Sequence, residues 1–198
     1  MDESVKLALA KWPNVPHCYG WLALDARGAF RMRDDAAQAS HLPGDVIRHP
    51  ALLAFIFRNY ASDERGAWYF QNGPQRVYVD LETTPFIART DPATGFVTQD
   101  GQPLGDVRKC FMTDDGRLLL QSNGKLAMLD DRDLAQCLPR LNMDDHPCDD
   151  AALLSWLTSP VRRLALDLGS RVVPVDWIAA TMLESALGFV ARPSQLKR

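Results

Sequence analysis

Residues 68–90, WYFQNGPQRVYVDLETTPFIART, carry the sharpest pattern in the chain and decide its fold class. Val77, Val79 and Leu81 alternate with Arg76, Tyr78, Asp80 and Glu82. A period of two sends the apolar set to one face of a sheet and the polar set to the other. Trp68, Tyr69 and Phe70 favour a preceding strand through bulk and stiffness. Asn72-Gly73-Pro74 lies between them, and Asn-Gly tolerates the positive φ of a tight hairpin turn. Pro85 ends or bends the second strand before Phe86-Ile87-Ala88. The stretch predicts three consecutive antiparallel strands with one face on a core.

The polar set on the second strand has two readings. Arg76, Tyr78, Asp80 and Glu82 form a solvated face of neighbouring opposite charges, or Arg76 and Tyr78 anchor a recognition surface.

On the N-terminal side, SVKLALAK (4–11) reads as a short amphipathic helix capped by Ser4, limited by Pro13 and docked by Trp12. Tyr19–Leu24 and Phe30–Arg33 read as a hairpin about Asp25-Ala26-Arg27-Gly28. Residues 34–45 read as loop. His49-Pro50 starts a helix over ALLAFIFRNYA, apolar nearly all round and so predicted to be buried on most sides.

On the C-terminal side, Thr90 to Gly95 is a dense turn cluster and marks a boundary between two parts. Strands follow at Phe96–Thr98, Val107–Met112, Arg117–Gln121 and Lys125–Leu129, joined at Asp100-Gly101, Asp115-Gly116 and Asn123-Gly124. Such even spacing predicts a meander or half-barrel. Asp130–Leu138 and Asp149–Leu157 read as helices with acidic starts, and Leu141–Pro147 as loop. Leu164–Leu168 and Arg171–Ile178 form a further hairpin, with Pro174 placing the second strand at an edge or bulge. Thr181–Leu187 reads as a last short helix closed by Gly188, and the tail from Pro193 as loose.

The totals exclude several classes. The 198 residues are 46% hydrophobic and 24% charged, an ordinary globular balance. The net charge of −3 and the lack of a basic run argue against nucleic-acid binding. The longest apolar run, Ala51–Phe57, is too short for a membrane span. MDESVKLALAKWP lacks the features of a signal peptide. The four cysteines show no CxxC spacing and read as reduced thiols of a cytoplasmic protein.

No stretch assembles a catalytic motif. Neither GxSxG, GxxxxGK[ST] nor GxGxxG occurs. Asp80 and Glu82 share a strand face, a pairing that could do acid–base work but reads as structural on an exposed strand. Asp144, Asp145, His146, Cys148, Asp149 and Asp150 crowd together, which makes His146 and Cys148 the candidate metal ligands; no second cluster completes a site. No cofactor is expected. The five tryptophans are spread one per element, as core anchors would be.

The segments at 12–33 (WPNVPHCYGWLALDARGAFRMR), 47–90 (IRHPALLAFIFRNYASDERGAWYFQNGPQRVYVDLETTPFIART) and 172–178 (VVPVDWI) resemble a proteobacterial family of uncharacterised proteins. The likeness covers most of the chain and is densest over 12–90. The order of hairpin, Pro-started helix and Trp/Tyr strand ending in Leu-Glu-x-x-Pro-Phe also resembles a second, structurally known bacterial family of unknown function. That resemblance implies a two-part α+β protein, in signalling or binding rather than catalysis, and supplies no catalytic residues.

The reading is therefore an α+β protein of two β-rich parts, 1–92 and 93–198. The first holds a hairpin, a buried helix and a three-stranded antiparallel meander; the second holds an antiparallel meander or half-barrel with short helices. The expected function is a non-catalytic binding or regulatory module for an unknown protein or small molecule. The alternative is a small-ligand binder or enzyme using a cleft between the parts, with Arg76, Tyr78, Asp80 and Arg89 near the ligand. Neither nucleic acid nor membrane is an expected partner, and a homo-oligomer is compatible with the composition.

Overall fold

A computed structural model describes residues 1–195 and divides them into two compact units, residues 1–85 with 187–195 and residues 86–186. The chain is α+β; the described residues form one sheet in each unit and no closed barrel. The Thr90–Gly95 turn cluster closes a hairpin inside the second unit, because the strands on either side of it pair.

The first unit opens with α1 (Glu3–Lys11), β1 (Cys18–Leu24), β2 (Phe30–Met32), α2 (Asp35–Ala39) and β3 (Asp45–Val46). It continues with α3 (Pro50–Arg58), β4 (Tyr60–Ser62), β5 (Trp68–Asn72) and β6 (Gln75–Leu81). The sheet order is β3-β2-β1-β6-β5-β4. The meander is antiparallel and three-stranded, but its third strand is β4 and not Phe86–Ala88. The free side of β6 takes β1 in parallel, with Leu22 opposite Val79 and Leu24 opposite Leu81. Leu22, Leu24, Phe30, Val79 and Leu81 are all buried.

Residues 34–45 are not loop throughout. The Asp34 carboxylate accepts from Ala37 N at 2.8 Å and caps α2, satisfying one of the unpaired N–H groups of a helix start. His49 Nδ1 accepts from Leu52 N at 3.4 Å and caps α3, with Pro50 in the first turn. Only Ile56 of α3 is fully buried, so the helix lies on the sheet with one face to solvent. Trp12 does not dock α1; it is 51% exposed, with Lys11 Nζ 4.5 Å over its ring.

β1 carries a bulge. Cys18 pairs with Val77 and Leu22 with Val79, so four residues of β1 span two of β6. Gly20 lies in the bulge at φ 80°, a conformation glycine reaches without steric cost. The chain returns to this unit at its end. Val190 bridges Ala67, Leu81 N donates to Ala191 O at 2.7 Å and Val190 N to Gly66 O at 3.1 Å. Pro193 is buried, so the strap is fixed at least that far; residues 196–198 of the expected loose tail lie outside the described residues.

The second unit holds β7 (Phe86–Asp91), β8 (Gly95–Thr98), β9 (Lys109–Thr113), β10 (Leu118–Ser122) and β11 (Lys125–Leu129). α4 (Asp131–Cys137), β12 (Leu141–Met143), β13 (His146–Pro147), α5 (Asp150–Thr158), β14 (Leu164–Asp167), β15 (Val172–Ile178) and α6 (Leu183–Leu187) follow. The sheet order is β13-β12-β14-β15-β9-β10-β11-β7-β8. The β7·β11 and β9·β15 pairs are parallel. Cys110, Met112, Leu118, Leu119, Leu120, Ala127 and Leu166 fill its core.

Two expectations for this unit are corrected. The supposed loop 141–147 is a hairpin, whose turn places Asp144 and Asp145 at φ 49° and 67°. Successive positive φ angles are what a two-residue hairpin turn demands, and Asp tolerates them. β15 is interior rather than an edge strand. Pro174 faces Ala165, and pairing with β9 begins one residue later, at Val175; its missing N–H thus stands at the margin of that ladder. The tryptophans do not behave uniformly as anchors either. Trp156 is 4% exposed, whereas Trp12, Trp21 and Trp177 are exposed.

Candidate functional site

The alternation along β6 puts Arg76, Tyr78 and Asp80 on one face of the first sheet. That face is not simply solvated. Tyr78 is 2% exposed. Its ring stacks on Tyr19 at 4.7 Å and 4°, meets Tyr69 at 5.7 Å and takes the edge of His17 at 5.8 Å. Arg76 Cζ lies 4.6 Å over the Tyr69 ring. Ala61, Ala67 and Val190 complete the cluster.

Asp63 is the hub of this network. It accepts from Tyr78 Oη at 3.0 Å, from the N–H groups of Arg65 and Ala67 at 3.0 Å each, and from the Arg65 guanidinium at 3.2 Å. Burial alone would raise its proton affinity, but the donors from Ala67, Tyr78 and Arg65 outweigh it and hold the carboxyl below its ordinary value. Burial, then the neighbouring Tyr78, pushes the Tyr19 phenol up. Burial, then the Arg76 charge, pulls His17 down. Both shifts keep the Asp63 carboxyl ionised and the Tyr19 phenol protonated at neutral pH.

Asp80 is committed to Arg33, whose Nε also donates to Gly20 O at 2.9 Å. Arg89 belongs to the second unit. It forms a two-pronged pair with Asp133, Nε to Oδ2 at 2.6 Å and Nη2 to Oδ1 at 3.0 Å.

The acidic stretch around His146 is likewise committed. Asp144 pairs with Arg162 at 2.7 Å, Asp145 with Arg163 at 2.7 Å, and Asp149 caps α5 through Ala152 N at 2.7 Å. Burial, then Asp149, raises the Cys148 thiol. Among the described residues no three His, Cys, Asp or Glu side chains gather closely enough to hold a metal ion.

Three concavities stand out. A pocket of about 270 Å³ lies between α3 and the Val77 face of the first sheet. Its wall is apolar, built from Leu22, Ile47, Leu52, Phe55, Phe70 and Val77, with Trp21 and Met32 also lining it. The β1 bulge and the short β2 leave it open there: Trp21 is 41% and Met32 47% exposed. A second pocket of about 280 Å³, lined by Asp80 among others, mixes charged side chains with apolar ones such as Leu24, Leu42 and Leu81. The third, a groove of about 750 Å³ over β12, β14 and β15, is larger, and paired charges rim it: Arg162 with Asp144 and Arg163 with Asp145. Sequence reasoning described none of these as pockets, although its candidate Asp80 lines the second. The signals available were the isolated glycine at 20 inside a strand pattern and the adjacent Trp21-Leu22, which breaks alternation.

No helix among the described residues is long and apolar enough to cross a membrane. Among curated proteins, nothing matches the chain. A DUF1285 family protein from Silicibacter pomeroyi DSS-3 has a similar fold, with a TM-score of 0.50 at 14% identity over 89% of each chain. The family DUF2944, described as "Protein of unknown function (DUF2946)", matches residues 1–194, and the chain belongs to that family.

Proposed function

We propose that this chain is a non-catalytic binding module and that its ligand is a small, mainly apolar molecule held between α3 and the first sheet. The observation that carries the reading is the apolar pocket of about 270 Å³ whose lining includes the exposed Trp21 and Met32. Ligand sites are concave and mostly apolar, with few polar groups to set orientation. Here Asn72 and Cys18 are the lining residues that carry polar side-chain groups. A dry cavity of roughly 150 Å³ takes one benzene ring, so this volume suits two fused rings or a chain of similar bulk. The ordered Tyr78–Asp63 network on the opposite face supports the reading by giving the sheet a rigid back.

The test is fluorescence titration with ANS and thermal shift with naphthalene. Binding with an enhanced ANS signal is expected in the native protein. Ile47→Trp, which fills the pocket, should abolish it. Met32→Trp, at a half-exposed position that folding tolerates, should weaken it. Unchanged binding in both variants, or no binding in the native protein, would refute the reading.

A further inference from the structure

The pocket on the Asp80 face has a charge pattern of its own. Its lining includes Asp25, Arg31, Arg33, Asp80, Glu82 and Arg192. Four of these charges cancel internally. Arg31 Nε donates to Asp25 Oδ2 at 2.7 Å and its Nη1 to Gly44 O at 3.1 Å. Arg33 pairs with Asp80, and both side chains are 18% exposed. These two pairs form a fixed, neutral wall.

Glu82 and Arg192 are different. Glu82 Oε2 accepts from Ala26 N at 2.9 Å, which orients the carboxylate, yet no described cation pairs with it. Arg192 is exposed, follows the strap pinned by Leu81 N to Ala191 O, and pairs with no described carboxylate. Beside the imidazole-bearing His41, the pocket thus offers one oriented carboxylate and one guanidinium, with no ion pair between them among the described residues.

We propose that this pocket binds a small zwitterion of the amino-acid type, its carboxylate on the Arg192 guanidinium and its ammonium on Glu82. Arginine's planar fork matches a carboxylate with two parallel hydrogen bonds. A carboxylate already held by a backbone N–H is a preorganised acceptor for an ammonium. About 280 Å³ lies at the small end of ligand sites and suits a single amino acid rather than a nucleotide. Asp80 contributes by holding Arg33 in the wall, not by touching the ligand.

The experiment is a thermal-shift screen of the full chain with the standard amino acids at roughly 10 mM, followed by calorimetry on any hit. An amino acid should raise the melting temperature, while its amide, which lacks the carboxylate, and its N-acetyl form, which lacks the ammonium, should not. Arg192→Gln and Glu82→Gln should each weaken the hit roughly tenfold or more, with the unliganded melting temperature unchanged; both side chains are exposed, and glutamine can still accept from Ala26 N. No shift with any amino acid, or a hit that both variants leave intact, would overturn the proposal. ANS binding reports on the other face, so this pocket and the apolar one stand or fall separately.

Discussion

Arg89 and Asp133 meet in a two-pronged ion pair, at 2.6 and 3.0 Å, and the same Asp133 carboxylate accepts from Thr90 N at 2.8 Å. Asp133 is 3% exposed and Arg89 exposed. The pair ties α4 to β7 and gives Arg89 a structural task. Asp133→Ala should destabilise the protein by about 1–3 kcal/mol, mainly by stranding the Thr90 N–H. Arg89→Gln should cost less, because its guanidinium is half in water. Urea denaturation of both variants checks the order.

Acid should loosen the second unit in a defined window. The Arg132 guanidinium holds Asp130 down from 3.8 to about 2, and Arg89 lowers Asp133 below the same ordinary value. A depressed folded value means stability fully present above the unfolded value and lost as pH falls through the folded one. The urea midpoint should therefore hold at neutral pH and fall as pH drops below about 4 toward 2. Asp133→Asn should flatten that fall.

Tyr78 separates hydrogen bonding from packing. Tyr78→Phe removes one of several donors to Asp63 and should cost about 1 kcal/mol. Tyr78→Ala also removes a ring packed against Tyr19 and Tyr69 and should cost about 3–5 kcal/mol. Near-equal losses in denaturant would contradict this division.

Gly66 and Gly116 make a paired test. Both have positive φ, 79° and 84°. A Cβ on Gly66 would lie 2.3 Å from Gly188 O, whereas one on Gly116 meets nothing within 4 Å. Gly116→Ala should cost only the backbone penalty of about 1 kcal/mol. Gly66→Ala should cost more and should displace the strap that carries Val190 and Arg192. Limited proteolysis at the C-terminus reads that displacement.

The thiols should sort by environment. Burial pushes Cys110 up to about 12 and raises Cys137, and both are buried, while Cys18 and Cys148 are half-buried. A thiol reagent acts on the thiolate. Native protein should expose the last two and protect the first two, with all reacting after denaturation.

Much of the fold was legible because it is local. The alternation of β6, the Gly73-Pro74 turn after Asn72, the Pro50 start of α3 and the Asp149 cap of α5 each act within a few residues. α2 escaped because its five residues, mostly alanine, have no apolar period, and only the Asp34 cap announces it. The hairpin at 141–147 escaped because two aspartates stand where asparagine and glycine are the usual sign.

The sequence by itself settled which residues of β6 share a face, that both units are β-rich, and that no familiar catalytic motif is present. Tertiary structure alone decided what those faces meet. Phe86–Ala88 reads as a strand wherever it lies, but its parallel partner is Ala127–Leu129, some forty residues on. Tyr78 reads as a surface residue until Tyr19, Asp63 and Val190 close over it from three separate stretches. Both pockets are likewise made by segments far apart in the chain, α3 and the β1 bulge for one and the terminal strap with β2 for the other. Period and propensity act over a few residues, whereas long-range pairing and packing depend on complementarity between distant stretches.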